Sequence, residues 1–388
     1  MAAHRAPLPD HWTGRLLDGV SDRCIRWTKH RTVLWWSKDP WRAGLLLTAV
    51  CLFWSFPYYD IVLGTNGPGV NWPPFLEQVE QPFTDHTPHY PPTHHASKLG
   101  FRFVPAALCH ALGTDSIAGA LVLQLAMQFA VCALLFALLR RDARSGVQAL
   151  AVALPFCLVA GGHSFYDDQW GFFDTLALDL LLAAAAANGA ISRMLLLLLA
   201  FFTDERTIVA SPGLLLLWRP DERPTTGKLA LLITTAIVYI AIRWSLGSIF
   251  GLRSEPVPWS YLLDRWPLFP YALLHGAEGF LLTTGLACVL LWRQRSWSSL
   301  GLLVLGSGLV TGVAISVFDT ERSTAYLLPY LLAGVLIIRR DLPQRHFMLL
   351  IAGVAFFNLL HSSPVSLPEQ LFRMLNGRSL GDILRDPI

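Results

Sequence analysis

The feature that most limits what this chain can fold into is a series of long apolar runs separated by short polar stretches. A helix needs roughly 20 apolar residues to cross the hydrocarbon core of a bilayer. Runs near that length recur at about 42–58, 115–139, 146–163, 171–188, 228–247, 268–292, 299–318, 324–338 and 346–362. In lipid every backbone N–H and C=O must find an internal partner, so such runs fold as helices. Only 15% of the 388 residues are charged, where a soluble domain carries about a quarter. The expected fold class is therefore all-α and polytopic.

One further run, 193–217 (RMLLLLLAFFTDERTIVASPGLLLL), carries Asp204, Glu205 and Arg206 at its middle. As a single span it would hold three charges near the bilayer centre, each costing about 2.5–3.5 kcal/mol on insertion scales. Two short helices with the charged triplet at their apex would instead place those groups in a protein-lined cavity, where irregular backbone is tolerated. The hairpin is the preferred reading and brings the expected total to about 11 helical spans. A shorter apolar piece at 100–113, opening FRFVPAALCHAL, fits either a short span or an interfacial helix.

With the N-terminus inside, about two thirds of the 30 Lys and Arg fall on the cytoplasmic side, as the positive-inside rule requires. Residues 59–98 then lie outside as a large first loop. The organisation expected is a polar leader over 1–41, a transmembrane domain over 42–362 and a tail over 363–388. The leader shows no cleavable signal pattern. Trp12, Leu16, Val20, Cys24 and Trp27 recur at helical spacing in it, which suits an interfacial amphipathic helix or a weakly ordered segment. A net charge of +3 spread over short loops argues against a nucleic-acid partner. Five of six cysteines lie in apolar runs without paired spacing, so neither a disulfide framework nor a zinc site is expected.

Chemistry concentrates in the first loop. Asp60 follows the first span beside Tyr58 and Tyr59; it can serve as a general base towards a hydroxyl or simply end a helix. Asp85 is a second candidate catalytic carboxylate. It opens DHTPHYPPTHH, whose His86, His89, His94 and His95 could hold a divalent metal or line a substrate site. The prolines there preclude the regular helix that would align the first two histidines. Lys98 and Arg102, four apart at the start of an apolar helix, suit a phosphate or ordinary snorkelling. Asp167 and Asp168 in SFYDDQWGFFD form a carboxylate pair that could hold a cation or an acceptor, or be solvated. Asp204, Glu205 and Arg206 are functional by default as intramembrane charges, and Arg322 lies just outside a late span in FDTERSTAYLLPYLL.

The order of these pieces resembles that of the GT-C membrane glycosyltransferases: an acidic residue early in a large outside loop, a basic Pro-containing approach (SKLGFRFVPAAL), a mid-chain break (FTDERTIVASPGLLLLW) and a late ERSTAYLLPYLL-like segment. The resemblance covers roughly residues 42–340. It implies transfer of a sugar, with inversion, from a polyprenyl-phosphate-type donor to a lipid- or glycan-linked acceptor on the outer face of a bacterial inner membrane. Asp60 would then be the base, and Lys98, Arg102, Arg206 and Arg322 the cations facing the leaving phosphate. Two departures matter. Asp60 is not part of an acidic pair, which leaves metal dependence open, and no soluble C-terminal domain follows. A transporter or flippase of a lipid-linked sugar, or a non-catalytic subunit of envelope-polysaccharide assembly, is the alternative.

Overall fold

The computed structural model of the protein describes residues 31–57, 59–63, 71–85, 99–218, 226–253, 259–317 and 320–361. Every regular element among them is helical. In chain order the helices that matter are α1 (Pro40–Trp54), α2 (Trp72–Glu80), α3 (Phe103–Leu112), α4 (Ile117–Asp142), α5 (Gly146–Ala160), α6 (Asp174–Ala186), α7 (Ala190–Thr203), α8 (Arg206–Ala210) and α9 (Leu214–Trp218). They are followed by α10 (Thr226–Phe250), α11 (Phe269–Ala277), α12 (Phe280–Arg293), α13 (Trp297–Ile315), α14 (Thr320–Thr324), α15 (Leu328–Asp341) and α16 (Gln344–His361). A π turn at Gly161–Phe165 and a single turn at Tyr166–Asp168 prolong α5.

Among the described residues, four helical stretches are long and apolar enough to cross a bilayer: Ile117–Asp142, Gly146–Asp168, Thr226–Phe250 and Trp297–Ile315. A fifth arises if Ser260–Ala277 and Phe280–Arg293 count as one, but these meet at 97°. The run 268–292, expected as one continuous span, is therefore broken. The break falls at Glu278, whose φ of 45° no regular helix accommodates. Other runs yield helices shorter than expected, such as the 13 residues of α6 and the 15 of α1. At 1.5 Å per residue, α6 extends only about 20 Å.

Basic residues tie one end of the bundle together. Arg340 pairs with Asp142 at 3.4 Å, Arg144 donates to Gln344, Arg141 to the carbonyl of Ala186, and Gln294 to Asp341. These bonds join the C-terminal ends of α4, α6, α12 and α15 to the start of α16. Cations suit the exposed carbonyls at helix C-termini. The opposite end of α6, at Asp174, lies towards the functional groups described below.

The segment 193–217 goes in and comes back. α7 packs on α6 and α10, while α8 packs on α13 and α9 on α15, so the arms splay apart above their base. At that base they meet: the Arg193 guanidinium lies 4.6 Å from the Trp218 ring centroid, and Trp218 donates to the carbonyl of Ala184 at 3.2 Å. The chain thus leaves and regains the basic end, with Asp204 and Glu205 at the turn.

Between α1 and α3 the described residues include α2. In α2, Trp72, Phe75 and Val79 recur at helical spacing and pack against Ala106, Cys109 and Phe173. Phe75 stacks on Phe173 with centroids 4.8 Å apart. Gln78 donates to the carbonyl of Leu99, which fixes the loop's return to α3.

Candidate functional site

The site is assembled from three sequence-distant stretches, beginning with the turn before α6. Asp168 is buried, and its two carboxylate oxygens accept the backbone N–H groups of Asp174 (2.8 Å) and Thr175 (3.0 Å). An anionic acceptor at a helix N-terminus satisfies orphan donors and opposes the positive end of the helix dipole. Gln124 on α4 donates to the carbonyls of Asp168 and Phe172, both at 2.7 Å, and the Trp72 indole donates to that of Gln169. Gly171, at φ +89°, sits against the backbone of Asn71, where a Cβ would come within 3.2 Å. The turn is pinned from two sides, and this fixes Asp174.

Asp174 is the hub. One carboxylate oxygen accepts the Tyr326 hydroxyl and the Arg206 Nη2, each at 2.7 Å. The other lies 3.0 Å from the Arg322 Nε. Arg322 also lays its guanidinium over the Phe172 ring, 3.4 Å from the centroid, a favourable arrangement for a planar cation.

At the hairpin turn Asp204 grips Arg206 through two bonds, Nε to Oδ1 at 2.8 Å and Nη2 to Oδ2 at 2.6 Å. The backbone N–H of Arg206 also reaches Oδ1, so the pair is built into the start of α8. Arg206 completes its set by donating to the Ser323 hydroxyl. Arg102, the N-cap of α3, approaches Asp204 Oδ2 at 3.0 Å. Among the described residues, three guanidiniums thus meet the carboxylates of Asp174 and Asp204, with that of Asp168 capping the same helix end. A cavity of about 30 Å³ opens among them; Arg102, Asp174, Asp204 and Arg322 form its polar wall, and Phe75, Pro105, Phe172 and Phe173 much of its apolar wall. That space admits water-sized groups. Arg102 is the arginine on the open side, its side chain 17% exposed against 5% for Arg206 and Arg322.

Of the residues singled out in the sequence, Arg102, Asp204, Arg206 and Arg322 converge here. Asp168 supports the site as a helix cap and is not among the cavity-lining residues. Asp167 is half-buried in the same turn, its carbonyl accepting the N–H of Trp170. Both Asp168 oxygens being committed to backbone amides, the two do not act as a solvated pair. Glu205 pairs with Arg243 of α10 rather than with its neighbour Arg206. Asp85 follows α2, half-buried and away from the cavity lining. The side chain of Asp60 lies outside the described residues, as do His94, His95 and Lys98 and the side chains of Asp319 and Glu321.

Four participants were missed: Asp174, Tyr326, Ser323 and Arg243. Asp174 and Arg243 each left a signal, a lone charge at the edge of or inside an apolar run. Nothing in the sequence distinguishes Tyr326 or Ser323 from packing residues. Cys51, Cys132 and Cys157 also come together in the core, a meeting that their spacing along the chain does not signal. Comparisons with protein families, characterised proteins and solved structures find no match to this chain.

Proposed function

We propose that the chain is an integral-membrane glycosyltransferase of about 11 helical spans, with its first loop and its site on the outer side of a bacterial inner membrane. It takes a sugar from a polyprenyl-phosphate-type donor and places it on a lipid- or glycan-linked hydroxyl. The observation that carries this reading is the meeting of the Arg102 and Arg322 guanidiniums, braced by Asp174 and Asp204, with an apolar wall at one cavity. A lipid phosphate offers that combination its complement, an anion on a hydrocarbon tail.

Arg206, chelated by Asp204 and bonded to Asp174, is the fixed strut. Arg102 and Arg322 each hold a carboxylate from one side; Arg102 can turn its N–H groups to a phosphate by exchanging Asp204 for the ligand, and Arg322 adds its positive charge beside it. Charge building on the leaving phosphate then meets preoriented donors in a poorly solvated site. Asp60 is the proposed base for the acceptor hydroxyl.

The test uses purified full-length protein in liposomes with a radiolabelled polyprenyl-phosphate sugar and a crude lipid acceptor. The parent should produce labelled glycolipid and Asp60→Asn should bind donor without turnover. Movement of donor between leaflets with no transfer, equal in parent and Asp60→Asn, would establish a flippase in its place.

A further inference from the structure

Away from this site, Cys51 of α1, Cys132 of α4 and Cys157 of α5 put their sulfur atoms within 4.8 Å of one another in the bundle core. All three side chains are buried, at 1% exposure or less. The Cys157 and Cys132 sulfurs are 3.6 Å apart. Three sulfurs bonded to one ion at about 2.3 Å stand about 4 Å from each other, so the cluster needs only small rotamer adjustments to close on a metal. Their heights agree as well: each lies about ten or eleven residues from the basic end of its helix, roughly 16 Å along the axis.

A cluster of small hydrophobes would be expected among hydrocarbon side chains alone. Here two polar groups on the same helix faces lie beside the sulfurs. Gln128, one turn before Cys132 and fully buried, places its amide nitrogen 3.7 Å from the Cys132 sulfur while its oxygen has no hydrogen-bond partner. Thr48, one turn before Cys51 and also buried, makes no geometrically complete hydrogen bond and has the Cys132 sulfur as its neighbour. Buried polar atoms without partners are uncommon in native folds.

We infer that Cys51, Cys132 and Cys157 form a three-sulfur site for a soft, thiophilic metal ion, best matched by monovalent copper. Thiolate ligands select soft ions, and three sulfurs without a histidine or carboxylate complete a trigonal set but fall one short of tetrahedral zinc. Each thiol that becomes a ligand thiolate releases one proton to water, so binding strengthens as pH rises. The Gln128 amide donates into the sulfur group and offsets part of the negative charge that results. The site ties α1, α4 and α5 together and is independent of the arginine cluster.

The experiment titrates the detergent-purified full chain, anaerobic and reduced, with monovalent copper held by a chromogenic chelator. X-ray absorption on the loaded protein follows. One copper per chain is expected, with only sulfur neighbours at about 2.3 Å. Cys51→Ser, Cys132→Ser and Cys157→Ser should each weaken binding at least tenfold, while Cys109→Ser and Cys288→Ser leave it unchanged. Monodisperse elution and a parental melting temperature in the apo state show that a variant is folded. Any one of the three that fails this check is replaced by its Ala counterpart. The inference is overturned if the parent removes no copper from the chelator, if nitrogen or oxygen neighbours dominate, or if folded triad variants bind like the parent.

Discussion

Tyr326 donates its hydroxyl to the Asp174 oxygen that also accepts Arg206, at the same 2.7 Å, while its ring lies 4.7 Å beneath the Arg206 guanidinium. One aromatic residue therefore holds both members of the central ion pair. Tyr326→Phe keeps the ring and removes the donor, so it should lower stability by about 1.5–3 kcal/mol, the range for hydrogen bonds to charged groups. Thermal melting in detergent measures this. A melting temperature equal to the parent's would show that Asp174 does not depend on the hydroxyl.

The three arginines should separate by role. Arg206→Lys keeps the charge but loses the two-pronged grip on Asp204 within a buried network, and a lost hydrogen bond to a charged group costs about 1.5–3 kcal/mol; the expected outcome is a clearly lowered melting temperature or poor insertion. Arg102→Lys, on the open side, should melt near the parent yet bind a polyprenyl phosphate about ten- to a hundredfold more weakly, the equivalent of about 1.5–3 kcal/mol. Equal donor affinity for parent and Arg102→Lys would remove Arg102 from the phosphate.

Asp168 offers a contrast between cap and ligand. As the cap of α6, Asp168→Ala should cost about 0.5–2 kcal/mol, with Asp168→Asn milder because one oxygen acceptor survives. Hydrogen exchange should accelerate first at the amides of Asp174 and Thr175. Loss of activity with unchanged exchange at those amides would instead assign Asp168 to substrate.

Asp179, buried in α6 with one oxygen lacking a partner, predicts the opposite sign. Asp179→Asn or Asp179→Leu relieves a carboxyl held out of water, so the melting temperature should hold or rise. A marked fall would reveal a partner that this carboxyl needs.

Sidedness is testable by labelling. In a background with all native cysteines replaced, a cysteine at Thr84, exposed beyond α2, should react with an impermeant thiol reagent in intact cells. One at Arg295, exposed between α12 and α13, should react only after permeabilisation. The reverse pattern would put the arginine cluster near the cytoplasmic face.

What was legible in the sequence follows from which forces act locally. Apolar length marks α4, α10 and α13 because each satisfies its own backbone. The apex at Asp204 and Arg206 was legible because charge inside an apolar run has few tolerable placements. Asp204 as the partner of Arg206, and Glu205 as that of Arg243, were not: adjacent carboxylates differ in direction only once the backbone is set. The bend at Glu278 carried the same signal, a charge inside an apolar run, which run length alone passes over. The meeting of Cys51, Cys132 and Cys157 was hidden because their spacing along the chain says nothing about three helices packed side by side.

The Arg193–Trp218 contact at the foot of the splayed arms bears on sidedness as well as on shape. A segment that exits where it entered leaves the parity of everything downstream unchanged. A change of length within α7 to α9 would therefore not by itself turn α10 to α16 inside out. What holds the segment in place is its apex, where Arg206, paired with Asp204, reaches Asp174 of the neighbouring α6.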